Sequence, residues 1–218
     1  MQAYNFVIPY IKNKIILDLG CGSGYGTYYL STEGAKHIIG IDISKEAIEY
    51  CKREYIADNL QYGIMDGSRL GFKDNSFDVI VSFQVIEHIE NVDEYLSEVY
   101  RATRIFIVST PNKAILRAKN PFHVTEFNLN ELQVLLQSIF HRVNIFGIYP
   151  DDKLQNLGNK VAKTEAYIDN LMLRPFIRLI PIRIKRLLSA RFFKINDKAF
   201  SVSENTSDCL DFIAVCVK

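Results

Sequence analysis

The stretch Ile15-Ile16-Leu17-Asp18-Leu19-Gly20-Cys21-Gly22-Ser23-Gly24 constrains this chain more than any other. A largely apolar run closed by three glycines, each two apart, reads as a buried strand turning directly into a helix. Such a strand needs parallel neighbours and helices over both faces. The sequence supplies them: 37–43, 60–65, 77–83, 104–109, 142–149 and 211–217 read as further strands, and 24–32, 92–102 and the stretch from Asn128 or Asn130 to Ile139 as helices. Ser44 is placed to cap another helix, with Ala47, Ile48 and Cys51 on one face. A short helix over 2–12 comes first, with Pro9 expected to interrupt it. Thr110-Pro111-Asn112 is expected to stop the fifth strand. Strands alternating with helices predict an α/β fold with a mostly parallel sheet and right-handed crossovers. With 218 residues, one domain over 1–218 is expected, carrying a long irregular connection at 150–208.

In such a sheet ligands bind at the carboxyl ends of the strands, near the point where strand order reverses. Glycines at 20, 22 and 24 let the backbone turn tightly and approach a ligand. A dinucleotide fingerprint needs G-x-G-x-x-G, and Tyr25 stands where its third glycine belongs. Asp18 would also repel a diphosphate, whereas it suits an ammonium group. Asp42 ends the second strand, where a carboxylate can take both ribose hydroxyls or cap the following helix. Asp66-Gly67 ends the third, where a carboxylate can accept from an adenine amino group. Phe83 ends the fourth, either as a shelf under the adenine or as plain core. Together these ends offer partners for the amino acid, ribose and base of one ligand.

ILDLGCGSGYG, Asp42 in IGIDIS, Asp66, FDVIVSFQVIEHI, the STPN at 109–112 and the closing DFIAVCVK together resemble the motifs of class I S-adenosylmethionine-dependent methyltransferases. The resemblance covers about the first two-thirds of the chain and the final strand. VIEHI and NPFHVTEF are similar to small-molecule methyltransferases that modify sugars and quinones. It implies a Rossmann-like, seven-stranded sheet, the last strand antiparallel beside the sixth, with the 150–208 segment inserted between strands six and seven as a substrate cap. It implies S-adenosyl-L-methionine as cofactor, held around Asp18, Gly20, Cys21, Gly22, Gly24, Asp42, Ile43, Asp66, Gly67, Phe83, Gln84 and His88. Cys21 is expected to contribute backbone rather than a nucleophilic thiol. The NPPY of amino-methyltransferases is absent, since that stretch reads SFQV.

His123 and His88 are the candidate catalytic residues. His123, on a loop facing the catalytic edge, is either a general base or, with Glu126, a means of ordering that loop. His88 follows Glu87 as a cofactor neighbour or a structural pair. Some ubiquinone methyltransferases assign a metal to Glu-x-x-Glu-His; here Gln84 takes the first position, and a neutral amide is a weak ligand for a hard cation, so no metal is expected. His37 and His141 sit at strand beginnings and read as structural.

Twenty-six Lys and Arg against 25 Asp and Glu argue against a dedicated nucleic-acid binder, and no DNA partner is expected. The 174–194 segment RPFIRLIPIRIKRLLSARFFK is nonetheless basic, with no acidic residue. It fits peripheral contact with an anionic membrane, a grip on a phosphate-bearing substrate, or a lid with solvated arginines. Four scattered cysteines without a CxxC pair, and no leader-like or membrane-spanning run, suggest the cytoplasm, peripheral membrane contact aside. The expected reaction is methyl transfer to a hydroxyl or amine of a small molecule: a sugar, a lipid-linked glycan or a quinone-like acceptor. A protein or RNA methyltransferase and a non-catalytic cofactor-binding scaffold remain alternatives, with a dehydrogenase behind them.

Overall fold

A computed structural model describes residues 2–115, 120–150 and 200–218. The elements run α1 (Gln2–Ile11), β1 (Ile15–Leu19), α2 (Tyr25–Thr32), β2 (His37–Asp42), α3 (Lys45–Glu54), β3 (Leu60–Ile64), β4 (Phe77–Phe83), a 3-10 turn (Ile86–His88), α4 (Val92–Ala102), β5 (Thr103–Pro111), α5 (Leu129–Gln137), β6 (Arg142–Pro150), β7 (Phe200–Ser203) and β8 (Asp211–Val217). Strand order is β3-β2-β1-β4-β5-β8-β6-β7. The chain builds outward from β1 in one direction, then restarts at β4 on its other side. The glycine turn after β1 therefore sits at the switch point, where neighbouring loops diverge and leave a cleft.

β1 to β5 pair in parallel, and β8 runs antiparallel between β5 and β6. The closing strand thus lies beside the sixth, as the sequence predicts. The sheet has eight strands rather than seven: the short β7 arises inside the stretch read as an irregular cap, where four residues carry too little periodicity to announce a strand. Residues 1–149 with 202–218 form one compact unit and 150–201 another. Most of the expected cap, and the whole basic 174–194 segment, lies outside the described residues.

Two boundaries differ from expectation for tertiary reasons. α1 runs unbroken through Pro9. An interior proline costs about 3 kcal/mol, but Tyr4, Val7 and Ile11 are buried on one face of this helix, and burying each such side chain returns about 1.5–3 kcal/mol. β5 continues to Pro111 because β8 pairs with it as far as Pro111↔Asp211. Elsewhere local chemistry suffices. Ser44 accepts the Ala47 N–H, and Asn128, not Asn130, forms a reciprocal capping box with Glu131. α4 buries Tyr95, Leu96, Val99 and Ala102 at helical spacing against the sheet core around Ile80 and Phe106.

Candidate active site

The glycine turn is held by the backbone of β2: the Gly20 and Cys21 N–H groups both donate to the Ile41 carbonyl, at 2.8 and 2.9 Å. Gly20 has φ +78°, and a Cβ there would strike the Val85 methyls, so only glycine fits. Gly22, φ +53°, faces open space, with nothing within 4 Å of a would-be Cβ. At Gly24, φ +78°, a Cβ would strike Cys51 and come close to Tyr62, so this position too is fitted to glycine. The amide N–H of Cys21 is committed to Ile41, and burial pushes its thiol far above the usual range. Neither group is therefore free to serve a ligand directly.

Asp18 lies under this turn at 1% exposure. Its Oδ2 accepts from Thr27 at 2.6 Å and Tyr4 at 3.3 Å, while Oδ1 has no partner among the described residues. Burial raises its carboxyl to about 6, with Asp42 adding to the rise and the two hydroxyls opposing it. A buried carboxylate oxygen left without a donor is costly. A ligand ammonium delivered to the open floor at Gly22 would relieve that cost.

Asp42 accepts the Gly22 N–H on Oδ2 and the Ser44 N–H on Oδ1, both at 2.9 Å. It is an anchored acceptor, not the helix cap, which Ser44 provides. Each oxygen keeps a lone pair for a vicinal diol. Exposed Asp66 accepts from Ser68 through one oxygen, leaving the other available. Gly67 packs on Leu19 and Tyr95. Ile43 and Ile64 stand exposed, at 74% and 52%, beside these acids and offer an apolar cover for a base. Phe83 is half-buried, with the edge of Tyr4 against it at 4.8 Å. Tyr4 therefore touches both Asp18 and Phe83, a role the sequence does not reveal: its one signal is the apolar spacing with Val7 and Ile11. The Asp18, Gly22, Asp42 and Asp66 set fits the amino acid, ribose and base of the implied cofactor.

A second cluster stands beyond β4 and β5. Gln84, at φ +58°, donates its backbone N–H to the Ser109 carbonyl and turns its amide to Ser109 and Asp211, away from Glu87. Glu87 is buried, its Oε2 bonded to Thr110 at 3.1 Å and its Oε1 unpartnered among the described residues. Burial raises its carboxyl, against the pull of Thr110, His88 and His123. Asp211, at the start of β8, is pushed up to about 6 by burial and by Glu87. The Glu87 carbonyl accepts the Val124 and Thr125 N–H groups, which ties the His123 loop to the 3-10 turn.

That tie brings His88 and His123 together, ring centroids 5.0 Å apart. His88 Nδ1 lies 2.8 Å from the Phe122 carbonyl, so it carries the hydrogen and leaves Nε2 free. His123 pairs Nδ1 with Glu126 at 3.2 Å and Nε2 with the Asn120 amide at 2.9 Å. Ligand atoms of Glu87, His88 and His123 all fall within 4.8 Å of one another. The sequence treats these three as separate candidates; the structure makes them one group. It places His88 by His123, beyond the ends of β4 and β5.

Residues 17–105 match the family model of a methyltransferase domain. A probable S-adenosylmethionine-dependent methyltransferase of Mycolicibacterium smegmatis is 34% identical over 56% of this chain and 50% of its own length. One of the same description from Mycobacterium tuberculosis is 26% identical over 99% of this chain and 81% of its own. A ubiquinone biosynthesis O-methyltransferase of Pelagibacter ubique is 31% identical over 48% and 45%. The chain thus spans about half the length of the first and third of these relatives. Among solved structures, an S-adenosylmethionine-dependent methyltransferase from Thermotoga maritima shares the fold, with TM-score 0.65 at 14% identity over 100% of this chain and 88% of that one.

Proposed function

We propose that the chain, which matches a methyltransferase-domain family over residues 17–105 and is similar to S-adenosylmethionine-dependent methyltransferases, is a class I S-adenosylmethionine-dependent methyltransferase that methylates a hydroxyl or amine of a small or lipid-linked acceptor of the sugar or quinone kind. S-adenosylmethionine supplies a methyl group already activated on a sulfonium, so the protein contributes mainly alignment and exclusion of water. Asp18 would receive the ammonium, Asp42 the ribose diol and Asp66 the adenine edge. The acceptor would approach from the ends of β4, β5 and β8. As the sulfur–methyl bond broke and the new carbon–oxygen bond formed, leaving S-adenosylhomocysteine, a hydroxyl acceptor would pass its proton to a base of the Glu87, His88 and His123 group, such as the free Nε2 of His88.

The observation that carries this reading is the sign of that second region. Glu87 and Glu126 stand against the two histidines, and Asp211 lies within electrostatic reach of Glu87. Carboxylates there suit a hydroxyl or ammonium and repel a nucleic-acid backbone. The name of the Pelagibacter relative, which refers to ubiquinone biosynthesis and O-methylation, points the same way.

The test is transfer of labelled methyl from S-adenosylmethionine into an extract of the source cells, separated into lipid, water-soluble, protein and nucleic-acid fractions. Label in the lipid or water-soluble fraction supports the reading. Label confined to protein or RNA overturns it.

A further inference from the structure

We propose that Glu87, His88 and His123 form a binding site for one divalent transition-metal ion at the acceptor side of the cleft. The cluster has the features a metal site requires, and no hydrogen-bond role accounts for all of them. Its three ligand atoms lie within 4.8 Å of one another. Glu87 Oε1 is buried and unpartnered among the described residues, and a carboxylate oxygen of Glu87 lies within 4.8 Å of a ring nitrogen of each of the two histidines. A buried carboxylate oxygen in that state is relieved by a proton or a cation, and a cation shared with the bare Nε2 of His88 and with His123 satisfies all three groups at once.

The surroundings of the three side chains support the same reading. Metal-bound histidines characteristically donate their second ring nitrogen to a carbonyl or carboxylate, which fixes the tautomer and orients the ring. His88 donates Nδ1–H to the Phe122 carbonyl at 2.8 Å and presents a bare Nε2. His123 has the Glu126 carboxylate on Nδ1 at 3.2 Å. Its Nε2 receives the Asn120 amide, whose orientation is set by the Phe122 N–H on Asn120 Oδ1 at 3.1 Å. In the metal-bound form the ion takes the place of that amide hydrogen. Glu87 is likewise held by Thr110 through its other oxygen at 3.1 Å. Gln84 takes no part: its side chain is engaged with Ser109 and Asp211, and His123, 35 residues after His88, completes the set instead.

Two imidazoles and one carboxylate favour a borderline ion such as zinc, iron(II), cobalt(II) or manganese over magnesium, which prefers oxygen ligands. Three protein ligands leave coordination positions open. On the function proposed above, one of them would hold the acceptor oxygen next to the transferable methyl. The metal site itself does not depend on that reading.

The experiment is a cobalt(II) titration of the tag-free, chelator-stripped full chain, read by visible ligand-field absorption and by calorimetry, with zinc as competitor. One equivalent should bind with micromolar or tighter affinity and be displaced by zinc. His88→Gln changes an exposed side chain and should weaken binding at least about 10- to 100-fold, as should Glu126→Gln, which loosens only the support of His123. Glu87→Gln should weaken it at least as much. Asn120→Ala should bind as tightly as the parent or tighter. S-adenosylhomocysteine affinity, measured on each variant, serves as the control for folding. Absence of a stoichiometric ion, or binding that survives both His88→Gln and Glu87→Gln, overturns the proposal. Failure of the parent chain to bind S-adenosylhomocysteine counts against the methyltransferase reading alone.

Discussion

At the ends of β1, β2 and β3, each polar group lies within a short continuous motif and leans on close neighbours. Thr27 reaches Asp18 across nine residues, Ser44 reaches Asp42 across two, and Gly22 reaches Asp42 across 20. At the ends of β4, β5 and β8 the partners are far apart in the chain. Glu87 and Thr110 are 23 residues apart, His88 and Phe122 34, Asn112 and Cys209 97. The first region is a backbone turn with acids attached. The second is a set of side chains gathered by loops and by an antiparallel strand arriving from the end of the chain. One fold can therefore build one end of its cleft from short continuous motifs and the other from loops and a strand that are distant in sequence.

Four changes, with Glu87→Gln as a control, test that division, in order of expected effect. Asp42→Ala removes an acceptor from two backbone N–H groups and from the ribose diol. With hydrogen bonds to a charged group worth about 1.5–3 kcal/mol each, S-adenosylhomocysteine affinity should fall about 10²–10⁴-fold. Calorimetry should show Glu87→Gln leaving that affinity within about threefold; equal losses would mean that the two regions are not separate.

Asp18→Asn sharpens the electrostatic side. The carboxyl is raised to about 6 in the folded chain, so the folded state holds this proton more tightly than the unfolded state. Its contribution is most favourable at low pH and fades as pH rises from about 4 to 6, a loss of about 3 kcal/mol. Asparagine can still accept from Thr27 and Tyr4. The ligand-free variant should therefore unfold at higher denaturant than the parent above pH 6, the difference closing below pH 4, while cofactor affinity falls. A pH-independent difference would show that Asp18 is not burdened by its own ionisation.

Gly20→Ala probes the seam, since its Cβ would meet Val85, just after β4, from a left-handed backbone. A cost of about 1–3 kcal/mol in denaturant unfolding is expected, with losses on both sides of the cleft. The smallest effect is Tyr95→Phe. The buried Tyr95 hydroxyl donates to Ser82 at 2.8 Å, and Ser82 donates to the Leu19 carbonyl at 3.0 Å. Losing the outer bond should cost about 1 kcal/mol of stability and leave ligand affinity unchanged.

The same contrast separates what the residues announce from what they leave to the fold. Buried parallel strands, the glycine turn and the Ser44 and Asn128 caps depend on periodicity and on hydrogen bonds a few residues long, so they are legible in order along the chain. Asp18, Asp42 and Asp66 are legible because β1, β2 and β3 each end beside the cleft. Tyr4 is not, because nothing in a short N-terminal helix tells that one hydroxyl reaches a carboxylate 14 residues away. The continuation of α1 through Pro9 and of β5 through Pro111 is equally invisible, since burial and an incoming strand outweigh the local signal there.

The sequence by itself determined the parallel α/β architecture and the placing of Asp18, Asp42 and Asp66 at or beside the ends of the first three strands, because these follow from patterns a few residues long. Only the tertiary structure decided that the Cys21 N–H is taken by the Ile41 carbonyl and that Gly24 packs toward Cys51 and Tyr62. It alone turned Gln84 away and drew Glu87, His88 and His123 into one cluster. The physical reason is the Glu87 carbonyl, which takes the Val124 and Thr125 N–H groups and so closes a loop of more than thirty residues. No pattern in the intervening sequence encodes that closure.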